Sequence, residues 1–430
     1  MSEAKTFAKN TLFNYLSKII PAGASFIFTL IISNYLGPAN YGIYNYLPAV
    51  FVGFVTLFGG DFLSNLLWTF TAREKSIDLF KKILLIQLGI VATFFVAVNI
   101  FGPAIMRLIG VSYEELVPIA SIFLLLTPVN TIFMTLFKGF SRFGKVLKAA
   151  LIENITTLAL SVILIIFLGF GLTGAFIARF AAIIASTAYY YIQLKQIKFS
   201  AKKIDLAAIK KFCVWNAAAS FVRESSNQIY TISIGIFINA QTLGLYYLGD
   251  KIAGTIMNSP SNAITETIFS KNSGDYKNKK LIGRQTSLAI KTSLVISIII
   301  GALLLFFAPL LLSIAFPKYL GLLYFLPLII IYQAVQVQSP MTTVFNSINE
   351  TKNNFKLNSL FLFLTIIFVV PSTFAFGITG FLVSTIIATE LRYIATILIL
   401  RKEGVYLSIL PGKSDLLFMF NFLRDRLKSK

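Results

Sequence analysis

Lys211–Ile238, KFCVWNAAASFVRESSNQIYTISIGIFI, is the stretch on which the reading of this chain turns. It is long enough to cross a bilayer core of about 30 Å. Arg223 and Glu224 fall near its half depth, where insertion scales set a cost of roughly 2.5–3.5 kcal/mol on each charge. Asn216, Ser220, Arg223, Asn227 and Tyr230 follow at spacings of four, three, four and three, which is one helix face. Val222, Ile229, Ile232 and Ile236 occupy the other side. A polar seam on a spanning helix must look into protein or water, so this helix lines something.

The surrounding composition agrees. Of 430 residues 57% are apolar and 13% charged, with a mean hydropathy of +0.79, as in polytopic membrane proteins. The lone Cys213 excludes an internal disulfide, and the absence of histidine removes the commonest metal ligand and near-neutral acid–base group. No cleavable signal is expected at the start, because the first apolar run lacks a short core followed by small residues.

Spanning-length segments fall at Thr11–Ser33, Ile43–Asn65, Ile83–Met106, Leu116–Leu136, Ala150–Leu168 and Leu172–Gln193. After a basic connector come Phe212–Ile238, Leu243–Ile264, Ser287–Leu312, Leu322–Thr343, Leu357–Phe376 and Ile378–Leu400. Alternate connections differ in charge. Of the 38 lysines and arginines, Arg107 and Lys318 lie on one side, six lie within segments, and the rest share the other side. The positive-inside rule puts that basic side, both termini included, in the cytoplasm. The net charge of +21 is thereby a topology signal beside anionic lipid, and nucleic acid is not an expected partner.

The halves repeat. FGP at Phe101–Pro103 returns as FAP at Phe307–Pro309, and FGLTG at Phe170–Gly174 returns as FGITG at Phe376–Gly380. YGIYNYL at Tyr41–Leu47 has its counterpart in LGLYYLG at Leu243–Gly249. An offset of six segments is even, so the repeat is parallel, with a midplane site expected between the halves. The expected fold is therefore an all-α polytopic membrane protein of twelve transmembrane helices, in two six-helix bundles around a central cavity. Residues 1–194 form the first bundle, 195–211 a cytoplasmic linker, 212–400 the second bundle and 401–430 a basic amphipathic tail.

NTLFNYLSKIIPAGASFIFTLIISNYLGPANYGIY, Asn10–Tyr44, resembles the amino-terminal signature of the polysaccharide-biosynthesis flippases. These are the O-antigen and teichoic-acid type exporters within the multidrug/oligosaccharidyl-lipid/polysaccharide superfamily. The match lies in Asn10, Leu36-Gly37-Pro38 and Tyr41-Gly42-Ile43-Tyr44, and it extends to Gly171–Gly174 and the twelve-segment plan. It implies alternating access of a polyprenyl-linked oligosaccharide across the cytoplasmic membrane by a non-enzymatic carrier. A monomer without cofactor or bound metal is expected, and H⁺ or Na⁺ is the expected class of coupling ion. None of the matched motifs fixes a functional residue.

Those come from the charges at depth. Lys18, Arg179, Arg223, Lys251, Lys291 and Arg392 are basic residues within segments, set against the acids Asp61, Glu224, Asp250 and Glu390. The surplus of cations suits the phosphate or pyrophosphate of a lipid-linked sugar, for which arginine offers a bidentate fork and lysine a point charge. Arg223, Lys251, Arg179, Asn227 and Lys18 are the candidate cavity residues. Glu224, Glu390, Asp250 and Arg392 are candidate charge partners, as in Arg223 with Glu390 or Arg392 with Glu224. Arg223 and Glu224 point about 100° apart on the helix and are expected to pair poorly with each other. Further polar faces are Asn14, Lys18, Pro21 and Ser25 on the first segment and Lys251, Gly254, Asn258 and Ser261 on the eighth. The tenth adds Gln333, Gln336 and Gln338, which suit sugar hydroxyls or helix–helix hydrogen bonds.

Two competing readings make different demands. A cation-coupled multidrug exporter of the same superfamily favours carboxylates in the cavity. A membrane-embedded polyprenyl-dependent glycosyltransferase needs paired carboxylates or a histidine on a large outer loop, and the outer connections here are short.

Overall fold

The computed structural model describes residues 3–409, except 75, 109–113, 141, 198, 200–205, 275–277 and 349. Most of the expected amphipathic tail, from 410 onward, and part of the 195–211 linker lie outside the described residues. The described chain is helical, with no β-strand. In order, the helices are α1 Glu3–Val55, α2 Asp61–Glu74, α3 Ile77–Leu108, α4 Val117–Gly139, α5 Phe143–Ser161 and α6 Gly171–Leu194. They continue with α7 Leu206–Phe237, α8 Ala240–Gly274, α9 Lys279–Ala315, α10 Leu326–Gln336, α11 Pro340–Ser347, α12 Thr351–Leu364 and α13 Val370–Lys402. Helix is what an apolar chain adopts in lipid, since it satisfies its backbone polar groups within one segment.

Length shows where these helices must turn. At about 1.5 Å per residue, the 53 residues of α1 extend to about 80 Å, more than twice a bilayer core. The helix breaks at Gly37 (φ 73°, ψ 171°), in a region that glycine enters without a Cβ penalty, immediately before Pro38. α13 breaks in the same manner at Gly377 (φ 58°, ψ −139°). Each break falls between two of the apolar segments expected from sequence. The halves also share local irregularities. π-Turns at Val162–Phe167 and Thr365–Val369 start 203 residues apart (162 to 365), and positive-φ glycines at 171 and 377 lie 206 apart.

Among the described residues, seven helical stretches are long and apolar enough to cross a membrane. The count is eight if the pair Pro317–Tyr324 and Leu326–Thr342, bent by 69°, is one span. Two of the seven, Gly23–Gly59 and Lys352–Lys402, contain the breaks at Gly37 and Gly377. α7 is not among them, since Asn216, Arg223, Glu224, Asn227 and Gln228 lower its hydropathy. The outward surface is apolar: Phe306, Phe167 and Ile314 are 77, 76 and 74% exposed, which only lipid accommodates over so large an area. The chain is a multi-pass membrane protein.

Buried side chains show how the halves meet. The largest cluster draws on both: Ile32, Tyr41, Tyr44, Leu47 and Phe176 pack in one core with Leu245, Leu248, Phe316, Tyr319 and Phe381. It occupies the end carrying the uncharged connections. At the basic end there are two separate clusters. One is drawn from Leu63 to Tyr190 of the first half, the other from Ile282 to Leu407 of the second. The halves thus share one buried core at one end, the fused end, and each keeps a separate core at the other, where they still touch, as Phe58 does Phe221 (ring centroids 6.2 Å).

Hydrogen bonds close the fused end. Asn34 Nδ2 donates to the Ala315 carbonyl (2.6 Å), Lys318 Nζ to the Asn34 carbonyl (2.8 Å) and Tyr319 Oη to the Ser33 carbonyl (3.0 Å). The Tyr41 and Tyr319 rings meet edge to face at 6.2 Å.

Candidate functional site

Beneath the fused end lies a cleft of about 870 Å³ with walls from both halves. The first half contributes Ser25, Phe28, Thr29, Tyr41, Tyr44 and Asn45 from α1, Glu153, Asn154 and Thr157 from α5, and Arg179 from α6. The second contributes Asp250, Lys251, Gly254, Thr255 and Asn258 from α8, and Tyr332, Gln333, Gln336, Val337 and Ser339 from α10 and the break after it.

Helix periodicity explains the far wall. Lys251, Gly254 and Asn258 recur at three and four residues, and Gly254 lets the Gln333 side chain approach closely. Asn258 Nδ2 donates to Gln333 Oε1 (2.6 Å), and Gln333 Nε2 donates to Asp250 Oδ1 (2.6 Å). Asp250 is therefore held by a neutral amide and not by a cation. Glu153 is treated similarly: Oε2 accepts from Asn130 Nδ2 (3.2 Å) and Ser186 Oγ (3.0 Å).

Both carboxylates are engaged by neutral donors, and they lie near the cleft cations, Glu153 by Arg179 and Asp250 by Lys251, without an ion pair among the described residues. Arg179 stands over the rings of Tyr44 (5.8 Å) and Phe123 (5.4 Å), a contact worth about 0.5–2 kcal/mol that helps to fix its direction. Lys251 is exposed to the cleft. Neither has an ion-pair partner among the described residues, and the two are close enough to sense each other's charge. One cation comes from each half.

The other residues singled out from sequence lie elsewhere. Arg223 is not in the cleft wall. Its Nε pairs with Glu224 Oε1 at 3.0 Å, contrary to the expectation that these neighbours pair poorly. Their Cα–Cβ bonds do diverge by about 100°, but both side chains are long enough to curl toward each other along the helix surface. Asn227 Nδ2 donates to Glu224 Oε2 (3.3 Å), so it too serves this pair and not the cleft. The expected pairs of Arg223 with Glu390 and Arg392 with Glu224 do not form. Glu390 Oε1 accepts from Gln338 Nε2 (2.7 Å). Arg392 donates to Asn358 Oδ1 (2.8 Å) and covers the Phe361 ring at 5.2 Å, while Asn358 in turn donates to the Ala219 carbonyl (2.8 Å). In both cases a neutral amide, Gln338 from the turn after α10 and Asn358 from α12, takes the place of the expected oppositely charged partner. The side chains of Lys18, Asn14, Pro21, Asp61 and Ser261 lie outside the described residues.

Glu153 is the cleft residue that the count of buried acids omitted. It sits within the Ala150–Leu168 segment, with Thr157 one turn on, and that spacing was the available signal.

These positions set a first expected result. Arg223→Ala strips Glu224 of its cationic partner but leaves the cleft wall intact. Immunoblotting of membranes should show inserted protein reduced by roughly two- to fivefold, as losses of 1–2 kcal/mol commonly do. Transport per inserted molecule should stay above half of wild type. Loss of transport at full protein level would return Arg223 to the substrate path.

The sequence matches the model of a family described as polysaccharide biosynthesis protein over residues 7–269. No curated protein sequence matches. Among solved structures, the lipid II flippase MurJ in an inward closed conformation is similar with a TM-score of 0.70 at 15% identity, covering 91% of this chain and 87% of that one. A MATE in the straight conformation gives 0.68 at 15%, covering 92% and 95%. An inward-facing multidrug resistance MATE family transporter of the MOP superfamily gives 0.65 at 16%, covering 92% and 94%. At such identities the likeness is one of fold.

Proposed function

The chain belongs to the polysaccharide biosynthesis protein family, and on that premise we propose that it moves a polyprenyl-(pyro)phosphate-linked oligosaccharide across the cytoplasmic membrane by alternating access. The related families are transporters and flippases rather than enzymes. The observation that carries the reading is the pair of cations, Arg179 and Lys251, that face one cleft from opposite halves without an ion-pair partner among the described residues.

A diphosphate between them is held by a guanidinium fork on one side and an ammonium on the other. The glycan meets Asn154, Asn258 and Gln336 as hydrogen-bond partners and the Tyr41 and Tyr44 rings as apolar faces. The cleft's volume lies within the roughly 300–1,000 Å³ of small-molecule sites, which suits the head group and first sugars while the polyprenyl chain stays in lipid. Twelve crossings in two bundles follow if the chain reverses at Gly37 and Gly377 and α10 with α11 forms one broken span. The shared core then closes the outer side and the split between the two basic-end cores opens to the cytoplasm. A cationic drug would meet Arg179 and Lys251 together with Glu153 and Asp250, carboxylates already engaged by neutral donors, which disfavours multidrug export.

The orientation carries its own expected result. In a cysteine-free background lacking Cys213, single cysteines at Gln241 or Thr379 should react with an impermeant maleimide on whole cells. One at Asn278 should react only after lysis. The reverse pattern would invert the proposed topology.

The function is tested in proteoliposomes loaded with a fluorescent polyprenyl-diphosphate oligosaccharide, whose exposure is read by an added glycosidase. Wild-type protein should bring the glycan across, and the same glycan on an uncharged polyprenol should remain. Movement of a cationic dye without movement of the glycolipid would overturn the reading.

A further inference from the structure

The polar wall beside Lys251 has a direction. As a carboxylate, Asp250 on α8 offers only lone pairs, so Gln333 on α10 turns its NH₂ group toward it (Nε2 to Oδ1, 2.6 Å). Gln333 Oε1 then faces the other way, where it accepts from Asn258 Nδ2 (2.6 Å). Asn258 has thereby committed one N–H to the protein, and keeps its carbonyl oxygen and a second N–H for the cleft it lines. Gln333 is buried, and reversing its amide would set oxygen against oxygen at Asp250.

The first half has the same sense. Asn154 Nδ2 donates to the Ala150 carbonyl (2.8 Å) and Thr157 Oγ1 to the Glu153 carbonyl (2.7 Å), each one turn back on α5. With its one proton committed the Thr157 hydroxyl can only accept, and Asn154 keeps its oxygen. Glu153 and Asp250 line the same cleft as carboxylates. Among the described residues of the lining, the charged donors are Arg179 and Lys251, one on each wall. Once a diphosphate occupies these two cations, the sugar beside it meets mainly oxygen acceptors and two carboxylates. A sugar hydroxyl matches such an amide, because it donates and accepts at one oxygen. A methylated oxygen cannot donate and leaves the acceptor unpaired, and a sugar carboxylate adds a third negative charge to the wall.

We propose that the cleft selects an uncharged sugar with free hydroxyl groups next to the diphosphate, and that Asp250 is the positioning residue behind this preference, acting through Gln333 to hold Asn258 in one orientation. This rests on the transport reading above and names the substrate class of the same site.

The test is calorimetric titration of the full chain in lipid nanodiscs, corrected for empty nanodiscs, with three geranyl diphosphates carrying glucose, permethylated glucose or glucuronic acid. The glucose form should bind about tenfold or more tighter than either of the others, since acceptors left unpaired in a buried site are what reject the wrong ligand. In Asp250→Asn the new amide can face either way, so Gln333 and Asn258 lose their fixed direction. The preference for glucose over permethylated glucose should then shrink to about threefold or less. Bulk alone predicts that ratio unchanged. Asn258→Asp sets carboxylates at both ends of Gln333 and should weaken glucose binding about tenfold. Combining it with Asp250→Asn reverses the chain: the amide at position 250 donates to Gln333 Oε1, and Gln333 Nε2 donates to the carboxylate at position 258. Charge and acceptor are both kept, so glucose binding should return to within about threefold of wild type, which a damaged fold would not allow. Equal affinities for the three ligands, a preference untouched by Asp250→Asn, or a double variant no better than Asn258→Asp would each overturn the inference and leave the diphosphate reading standing. Failure of all three ligands to bind would remove the transport reading and the inference together.

Discussion

Arg179→Ala should reduce glycan export in a flippase-deficient strain to a few per cent of wild type, with inserted protein near its normal level. The two halves of that expectation have separate causes. Arg179 holds its place by standing over the Tyr44 and Phe123 rings, and removing a cation–π contact of about 0.5–2 kcal/mol does not unfold a helix packed along its length. Toward an anionic head group, however, the guanidinium is one of two cations in the cleft wall. A hydrogen bond to a charged group contributes about 1.5–3 kcal/mol, or roughly 10- to 150-fold in affinity. Lys251→Ala should produce a loss of similar order, since it removes the cation of the opposite wall. Arg179→Lys should restore part of the activity, because the charge returns without the fork or the planar stacking. Wild-type export by Arg179→Ala at normal protein level would remove the phosphate from this cleft.

Much of the fold was written in local chemistry. Gly37-Pro38 and the two FG-x-TG strings are sites where a helix cannot continue undisturbed, and they coincide with the breaks at Gly37, Gly171 and Gly377. The far wall of the cleft was also legible, since Lys251, Gly254 and Asn258 share a face whatever they touch. What that reading lacked was the neighbour of each face. The seam from Asn216 to Tyr230 is real, but Arg223 and Asn227 are turned to Glu224 and not to the cleft. Side-chain length, which helical angles ignore, decided that pairing.

Glu153 was hidden by a misplaced helix start. The expected segment began at Ala150, only three residues before Glu153, after the basic stretch that ends at Lys148. α5 in fact begins at Phe143, and Glu153 lies ten residues in, about 15 Å along the axis. Partner choice was also beyond reach. Glu390 and Arg392 find Gln338 and Asn358 because the turn after α10 and the helix α12 pack beside α13, a fact of packing that no single-helix pattern contains.

Gly244→Ala should stop transport by a different route, through the fused end. A Cβ built at Gly244 lies 1.8 Å from the Pro38 carbonyl oxygen, and one at Gly42 lies 2.5 Å from the Ala240 carbonyl oxygen. Both obstacles are backbone, so no side-chain rotation relieves them. The start of α8 must instead move away from the turn after Gly37. That separates the groups closing this end, among them Lys318 and Tyr319 on the Asn34 and Ser33 carbonyls. Overpacking of this kind costs about 1–3 kcal/mol, which tilts an equilibrium between closed and open ends by roughly 5- to 150-fold. A carrier held open at one end cannot complete its cycle, so export should fall about tenfold or more while the protein remains inserted. Ser33 is wholly buried here, and a Ser33→Cys probe separates this cause from misfolding. The probe should resist an impermeant maleimide in the wild-type background and react once Gly244→Ala is added. The milder Gly42→Ala should give an intermediate degree of both effects. If Gly244→Ala exports normally and Ser33→Cys stays protected, the close approach at Gly244 is incidental to transport, and the closure of this end must depend on Lys318, Tyr319 and the shared core alone.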